Sequence, residues 1–355
     1  VSFDVAIRAD ASARIGSGHV ARSLALAHAL RAHGAGVLFL TRAFANGGFE
    51  TIRAAGFDAV ALPVRDGYEA SWLGASLTDE IADVRRVLQP LRPLRGIVVD
   101  HYALDARWER AAREFTDRIL AIDDLADRSH DCDFLLDANR LADGEAAYRT
   151  RVPEAARLLL GPRFALLRQE FTRAVPRARD GEVRRVFVFF GGVDAPDVTT
   201  RALDALARPA WNDVTLDVAV GAANPNAARL ASRADARTRV HVATGAIAGL
   251  MERADLALGA GGTASWERAA LGLPSLVVAI APNQVELVRT IEKAGIAIDL
   301  GSAALRDTDV IARALDDIRD APETLRDMSR RALALLGNRD GAGSVADALL
   351  QAVAV

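Results

Sequence analysis

The residue types that could do chemistry gather first at Gly16-Ser17-Gly18-His19-Val20-Ala21-Arg22, where a histidine stands at the junction of a glycine-rich loop and a helix. The run Phe3 to Arg8 alternates apolar and polar residues as a strand does. After His19, Val20, Leu24, Leu26, Ala27 and Leu30 recur at helical spacing, and Gly34 and Gly36 suit a helix stop. Strand, glycine loop and helix start together make an anion cradle, because free backbone N–H groups and the positive end of the helix dipole face the same point. His19 is expected there with its imidazole exposed, and an imidazole is partly neutral near pH 7 and can take a proton from water. Gly16, Gly18 and Ala21 also satisfy the dinucleotide pattern G-x-G-x-x-[G/A]. Two features speak against that rival. The loop from Ala9 to Gly16 is longer than a dinucleotide turn, and the next apolar run, Val37 to Leu40, ends in Thr41-Arg42 rather than in a ribose-binding acid.

Other chemistry-bearing residues have two readings each. Asp100-His101 is either a dyad or a strand end with a structural histidine. Asp123-Asp124 offers one carboxylate to cap a turn and one to reach a ligand, since neighbours on a strand face opposite ways. Arg22 is a surface charge or a partner for phosphate, and Trp266 stacks a base or fills the core behind its helix. His130, Cys132 and Asp133 are too closely spaced, and too few, for a zinc site, so a satisfied turn is expected and no metal. His28 and His33 are expected to meet solvent, and His241 needs no function.

The elements that must position these residues follow from pattern and length. The chain has 355 residues, 51% of them hydrophobic, which is enough for two packed domains. Strands are expected at 3–8, 37–41, 58–62, 96–100, 118–122 and 133–136, then at 186–190, 214–220, 239–242, 255–259 and 275–280. Helical patterns between most of them argue for parallel sheets covered on both faces. The expected division is an α/β lobe over 1–172, a charged linker over 173–183, a second lobe over 184–340 and a terminal helix over 341–355. Two such lobes would place a ligand at their strand carboxyl ends, in the gap between them. Lys and Arg (44) nearly balance Asp and Glu (47), which gives no field for nucleic acid or an anionic membrane. The single cysteine excludes an intramolecular disulfide framework. No apolar run reaches membrane-spanning length, and the start lacks the order of a signal peptide, so a cytoplasmic protein is expected. No cofactor and no protein partner is indicated.

A second loop, Gly259-Ala260-Gly261-Gly262-Thr263-Ala264-Ser265-Trp266-Glu267, again joins a strand to a helix and is followed by Ala281-Pro282-Asn283-Gln284. This order resembles the nucleotide-binding half of the GT-B sugar-nucleotide enzymes. Within them the chain resembles the UDP-2,4-diacetamido-2,4,6-trideoxy-β-L-altropyranose hydrolases of pseudaminic acid biosynthesis. The match is carried by Arg8-Ala9-Asp10-Ala11-Ser12, Ile15 to His19, Val99-Asp100-His101-Tyr102, Ile122-Asp123-Asp124, Cys132-Asp133, Phe190 to Asp194, Asn224-Pro225-Asn226 and Asn283-Gln284. The resemblance implies a GT-B-like fold of two Rossmann-like lobes and a metal-independent hydrolase that splits the anomeric carbon from UDP with inversion. It implies His19 as general base, with Gly16, Gly18, Arg22, Tyr102 and Asn283 about the sugar. Gly191, Gly192, Gly262, Thr263 and Ala264 would surround the diphosphate, Glu267 would hold the ribose, and the backbone near Ile247 the uracil. The family's Gly-Gly-Thr-Asp stands here as Gly191-Gly192-Val193-Asp194, which removes a hydroxyl. The alternatives are a UDP-sugar glycosyltransferase on the same scaffold, or a non-catalytic nucleotide-sugar-binding protein. A lipid acceptor would want a basic-rimmed apolar patch, and the stretch from Ala43 to Phe57 with its flank carries only Arg42 and Arg53.

Overall fold

The computed structural model describes residues 3–12, 14–45, 47–140 and 144–351. The chain divides into two compact units, one running up to Arg168 and resuming at Asp340, the other spanning Gln169–Arg339.

The first unit is built on β1 (Val5–Ala9), β2 (Val37–Arg42), β3 (Asp58–Leu62), β4 (Gly96–Asp100), β5 (Ile119–Ile122), β6 (Phe134–Asp137) and β7 (Arg157–Leu160). They form one parallel sheet in the order β3-β2-β1-β4-β5-β6-β7. Residues of β1, β2 and β4 are buried throughout, as both faces of a parallel sheet require. Side chains alternate between two cores. Val5, Ile7 and Val98 face one, Ala6, Ile97 and Val99 the other. The helix Gly341–Leu350 closes the first core with Ala342, Val345, Ala346 and Leu349. Residues 352–355 of the expected terminal helix lie outside the described residues.

The second unit holds β8 (Arg185–Phe189), β9 (Thr215–Val220), β10 (Thr238–Val242), β11 (Leu256–Ala260), β12 (Ser275–Val278) and β13 (Ala297–Asp299), parallel in the order β10-β9-β8-β11-β12-β13. Its core includes Val186, Val188, Leu216, Val218, Leu256, Leu258 and Leu276. The segment expected as a linker over 173–183 is instead anchored to this unit. Arg179 is buried, and its guanidinium is spent on the carbonyls of Arg177, Met251, Glu252, Ala254 and Leu271. β7 and β13 are additions to the expected strands. Among the described residues no helix is long and apolar enough to cross a membrane.

Candidate active site

In a parallel sheet the ligand crevice opens at the carboxyl ends of the two strands where the order reverses. In the first unit these are β1 and β4, and the glycine loop and Asp100 leave from their adjoining ends, where Ala9 pairs with Asp100. The loop is folded before the helix Gly18–Ala32 begins. Gly16 donates its N–H to Ser12 O at 2.8 Å, Ile15 N–H reaches Ser12 Oγ at 3.1 Å, and Gly16 adopts φ +78°, which a side chain would strain.

His19 is the second residue of that helix, and the structure corrects its expected exposure: it is 6% exposed. Its Nδ1 lies 2.6 Å from Asp100 Oδ1. A nitrogen that close to a carboxylate carries the proton and donates it, which leaves the Nε2 lone pair as the base. Asp100 also accepts from Arg22 Nε and Nη2, each at 2.6 Å, and from Ser23 Oγ at 3.4 Å. Burial alone would raise the Asp100 pKa, but the Arg22 guanidinium and His19 outweigh it and hold the carboxyl well below its usual range. Arg22 continues to Asp124 Oδ2 at 2.9 Å, and Asp124 Oδ1 accepts from the Tyr102 hydroxyl at 2.7 Å. The Tyr102 ring meets His19 edge-on at 4.6 Å and lies 5.5 Å from the Trp72 ring. Arg22 is therefore neither a surface charge nor presented to phosphate, because three of its nitrogens are committed to carboxylates.

Asp123 and Asp124 divide as opposite-facing neighbours should. Asp123 is buried and caps the turn after β5 through Ala126 N–H at 2.9 Å, while Asp124 joins the His19 cluster. His101 turns from Asp100 to the Trp72 carbonyl at 3.2 Å and to Asp10 Oδ2 at 3.3 Å. Asp10 is itself held by Arg8 Nη2 at 2.8 Å and by Arg42 N–H at 2.6 Å. His130 serves a clasp, with Nδ1 2.7 Å from Glu109 Oε1 and Nε2 3.7 Å from Asp123 Oδ2. Cys132 is buried, which pushes its thiol up, away from the reactive thiolate. His28 packs edge-on against Phe57 at 4.9 Å instead of facing solvent alone, and His33 is exposed.

In the second unit the order reverses at β8 and β11, from which the two remaining glycine loops depart. Gly191 has φ +92°, and Gly221, following β9, packs on the next residue so tightly that a Cβ would fall 2.2 Å from Gly192 O. Val193 is half-buried. Asp194 turns back to accept Val198 and Thr199 N–H at 3.0 and 2.9 Å, so it holds the helix Val198–Leu206. A Cβ at Gly261 would fall 2.1 Å from Val288 Cγ2. Gly262, Thr263 and Ala264 are half-buried, and Thr263 makes no side-chain cap for the helix Ala264–Ala270. Glu267 and Trp266 are buried on that helix, which puts the indole in the core. Ile247 opens the helix Ile247–Arg253 with its side chain buried. Asn283 is exposed on the turn Pro282–Gln284, and Gln284 Oε1 accepts from Ile280 N–H at 3.0 Å. The structure thus gathers Gly16, Gly18, His19, Arg22 and Tyr102 in the first unit, and Gly191, Gly192, Ile247, Gly262, Thr263, Ala264, Glu267 and Asn283 in the second.

No family model matches the chain. Arabidopsis thaliana UGT89C1, solved in complex with UDP-L-rhamnose, superimposes with a TM-score of 0.62 at 17% identity, over 99% of this chain and 100% of that one. The chain has the GT-B fold. Among curated proteins, the GT-B chain is 28% identical over 151 residues to the spore coat polysaccharide biosynthesis protein SpsG of Bacillus subtilis, covering 42% of this chain and 43% of that protein. It is 25% identical over 229 residues to the UDP-2,4-diacetamido-2,4,6-trideoxy-beta-L-altropyranose hydrolase of Campylobacter jejuni, covering 64% of this chain and 72% of that one. The resemblance read from the motifs is therefore found again in a comparison over 64% of this chain, while the spore coat protein is matched over less than half its length.

Proposed function

We propose that this GT-B protein hydrolyses a UDP-linked 2,4-diacetamido-2,4,6-trideoxyhexose at the anomeric carbon–oxygen bond, with inversion, releasing UDP and the free sugar. The observation that carries the reading is the buried His19–Asp100 pair. Around it one guanidinium, Arg22, sits between two carboxylates, Asp100 and Asp124, so the cluster holds one negative charge in excess until the imidazole gains a proton. Such an environment would repel a phosphate, so the reacting water and the uncharged sugar belong on this side. His19 Nε2 takes a proton from water, the water oxygen bonds to the anomeric carbon, and the bond from that carbon to the β-phosphate oxygen breaks with its electron pair leaving on UDP. Tyr102 and Asn283 contact the sugar substituents. The loops at Gly191-Gly192 and Gly262 to Ala264 receive the diphosphate with backbone N–H groups, Glu267 the ribose hydroxyls and the backbone at Ile247 the uracil. The similarity to the Campylobacter hydrolase supports the choice of substrate and of hydrolysis. Incubating the protein with a panel of UDP-sugars and no acceptor tests it. UDP released from the diacetamido trideoxyhexose supports the reading; release only when an acceptor is added would make the protein a glycosyltransferase, and substrate left intact with and without acceptors a binding protein.

A further inference from the structure

Arg268 follows Glu267 on the helix Ala264–Ala270 and is 2% exposed. Its Nη2 donates to Ala260 O at 2.9 Å and to Ser265 Oγ at 3.0 Å, while Nε and Nη1 are buried with no hydrogen-bond partner. Among the described residues no carboxylate forms an ion pair with it. Burial pulls its pKa down to about 10 against the opposing pull of Glu267, which still leaves it charged at neutral pH.

A buried cation with no ion-paired carboxylate and two nitrogens unpartnered is costly, and the other buried arginines are compensated, although Arg42 Nε also lacks a hydrogen-bond partner. Arg8 is paired with Asp10 and Glu80, and Arg42 with Glu80 and Asp83. Arg179 is wrapped in carbonyls. The place of Arg268 is also specific. A Cβ at Gly259 would lie 2.6 Å from Arg268 Nη1 and 2.8 Å from Phe189 O, and Gly259 pairs with Phe189 across β11 and β8. The guanidinium therefore lies against the last rungs of the two strands from which the Gly191-Gly192 and Gly261-Gly262 loops depart. A glycine inside a strand marks such a close approach, and here it is what admits the arginine.

We propose that Arg268 is the buried counter-charge for the diphosphate of the bound nucleotide, supplying from behind the two glycine loops the positive charge that those loops themselves lack. The assignment rests on the sugar-nucleotide reading above. Arg268 acts through the field and by fixing Ala260 O and Ser265 Oγ at the loop, so its effect scales with ligand phosphate and not with the nucleoside.

Titration calorimetry of UDP, UMP and uridine, the weaker ligands by competition, decides it on the wild-type protein, Arg268→Gln and Arg268→Lys. The glutamine variant should lose about tenfold or more in UDP affinity, less for UMP, and no more than about twofold for uridine. The lysine variant, which keeps the charge, should hold the UDP-to-uridine affinity ratio within about threefold of wild type. Equal losses for UDP and uridine, or an unchanged ratio in the glutamine variant, would overturn the assignment. If the glutamine variant does not fold, the lysine variant decides alone, and a tenfold fall in its ratio overturns the proposal. Wild-type protein that binds neither UDP nor uridine would overturn the sugar-nucleotide reading and this assignment with it.

Discussion

At the scale of single residues, the proposed chemistry turns on which nitrogen of His19 is free. Asp100 accepts the Nδ1–H at 2.6 Å, which fixes the tautomer with Nε2 as base. His19→Asn should keep UDP affinity and lose about 10²–10⁴ in kcat, the usual worth of a general base; a variant with more than half of wild-type kcat would remove His19 from the chemistry. Asp100→Asn should lower kcat with little change in KM. If the two act as one unit, the double variant should be no slower than His19→Asn alone, whereas independent roles would multiply the losses. His19 was legible in the sequence because a glycine loop and a helix start announce it locally. Its partner was not. Asp100 invites pairing with His101, its neighbour in sequence, but consecutive residues at a strand end point apart, and His101 turns to Trp72 and Asp10. Arg268 carried no local signal either, since only the packing of β8 beside β11 brings its guanidinium to Gly259.

Elements set the loops that these residues need. Gly221 leaves room for Gly192, and Gly221→Ala would drive a methyl into the Gly192 carbonyl. That variant should weaken UDP binding by about tenfold or more while the His19 cluster of the other unit is undisturbed, to be read by calorimetry beside the histidine NMR signals. In the first unit the helix Ala106–Ala112 is clasped to the loop before β6 by Glu109 and His130. Burial would lower the His130 pKa, but Asp123 and Glu109 outweigh it and raise it to about 9. A histidine bound more tightly to its proton in the folded state stabilises the fold fully below about pH 6.5 and loses that contribution as pH rises through about 9, up to roughly 3 kcal/mol. Urea unfolding at pH 6 and pH 9.5 should show this loss, and His130→Asn should flatten it; equal pH dependence in both proteins would contradict it. Most strands could be read from their apolar runs. β7 and β13 could not: Arg157–Leu160 and Ala297–Asp299 are edge strands, only partly buried, which show no continuous apolar run of a strand covered on both faces.

At the scale of the whole molecule, two parallel sheets each reverse their strand order beside a glycine loop, and each unit offers one candidate half-reaction: a base on one, an anion cradle on the other. The alternation of strand and helix made this fold readable. The boundaries were less so, because the charged composition of 173–183 resembles a linker while Arg179 ties that segment to the second sheet, and the chain returns to the first unit at Asp340. In the proposed reaction the diphosphate rests on backbone N–H groups with the Arg268 charge behind them, so turnover should persist in EDTA; loss on chelation that magnesium or manganese restores would contradict that. In that reaction water attacks the anomeric carbon. Hydrolysis of the UDP-linked diacetamido trideoxyhexose in ¹⁸O-water, followed by mass spectrometry and proton NMR, shows which bond is broken. Label is expected in the free sugar and none in UDP, with the inverted anomer appearing first; label in the phosphate of UDP, or UMP as the product, would contradict attack at carbon.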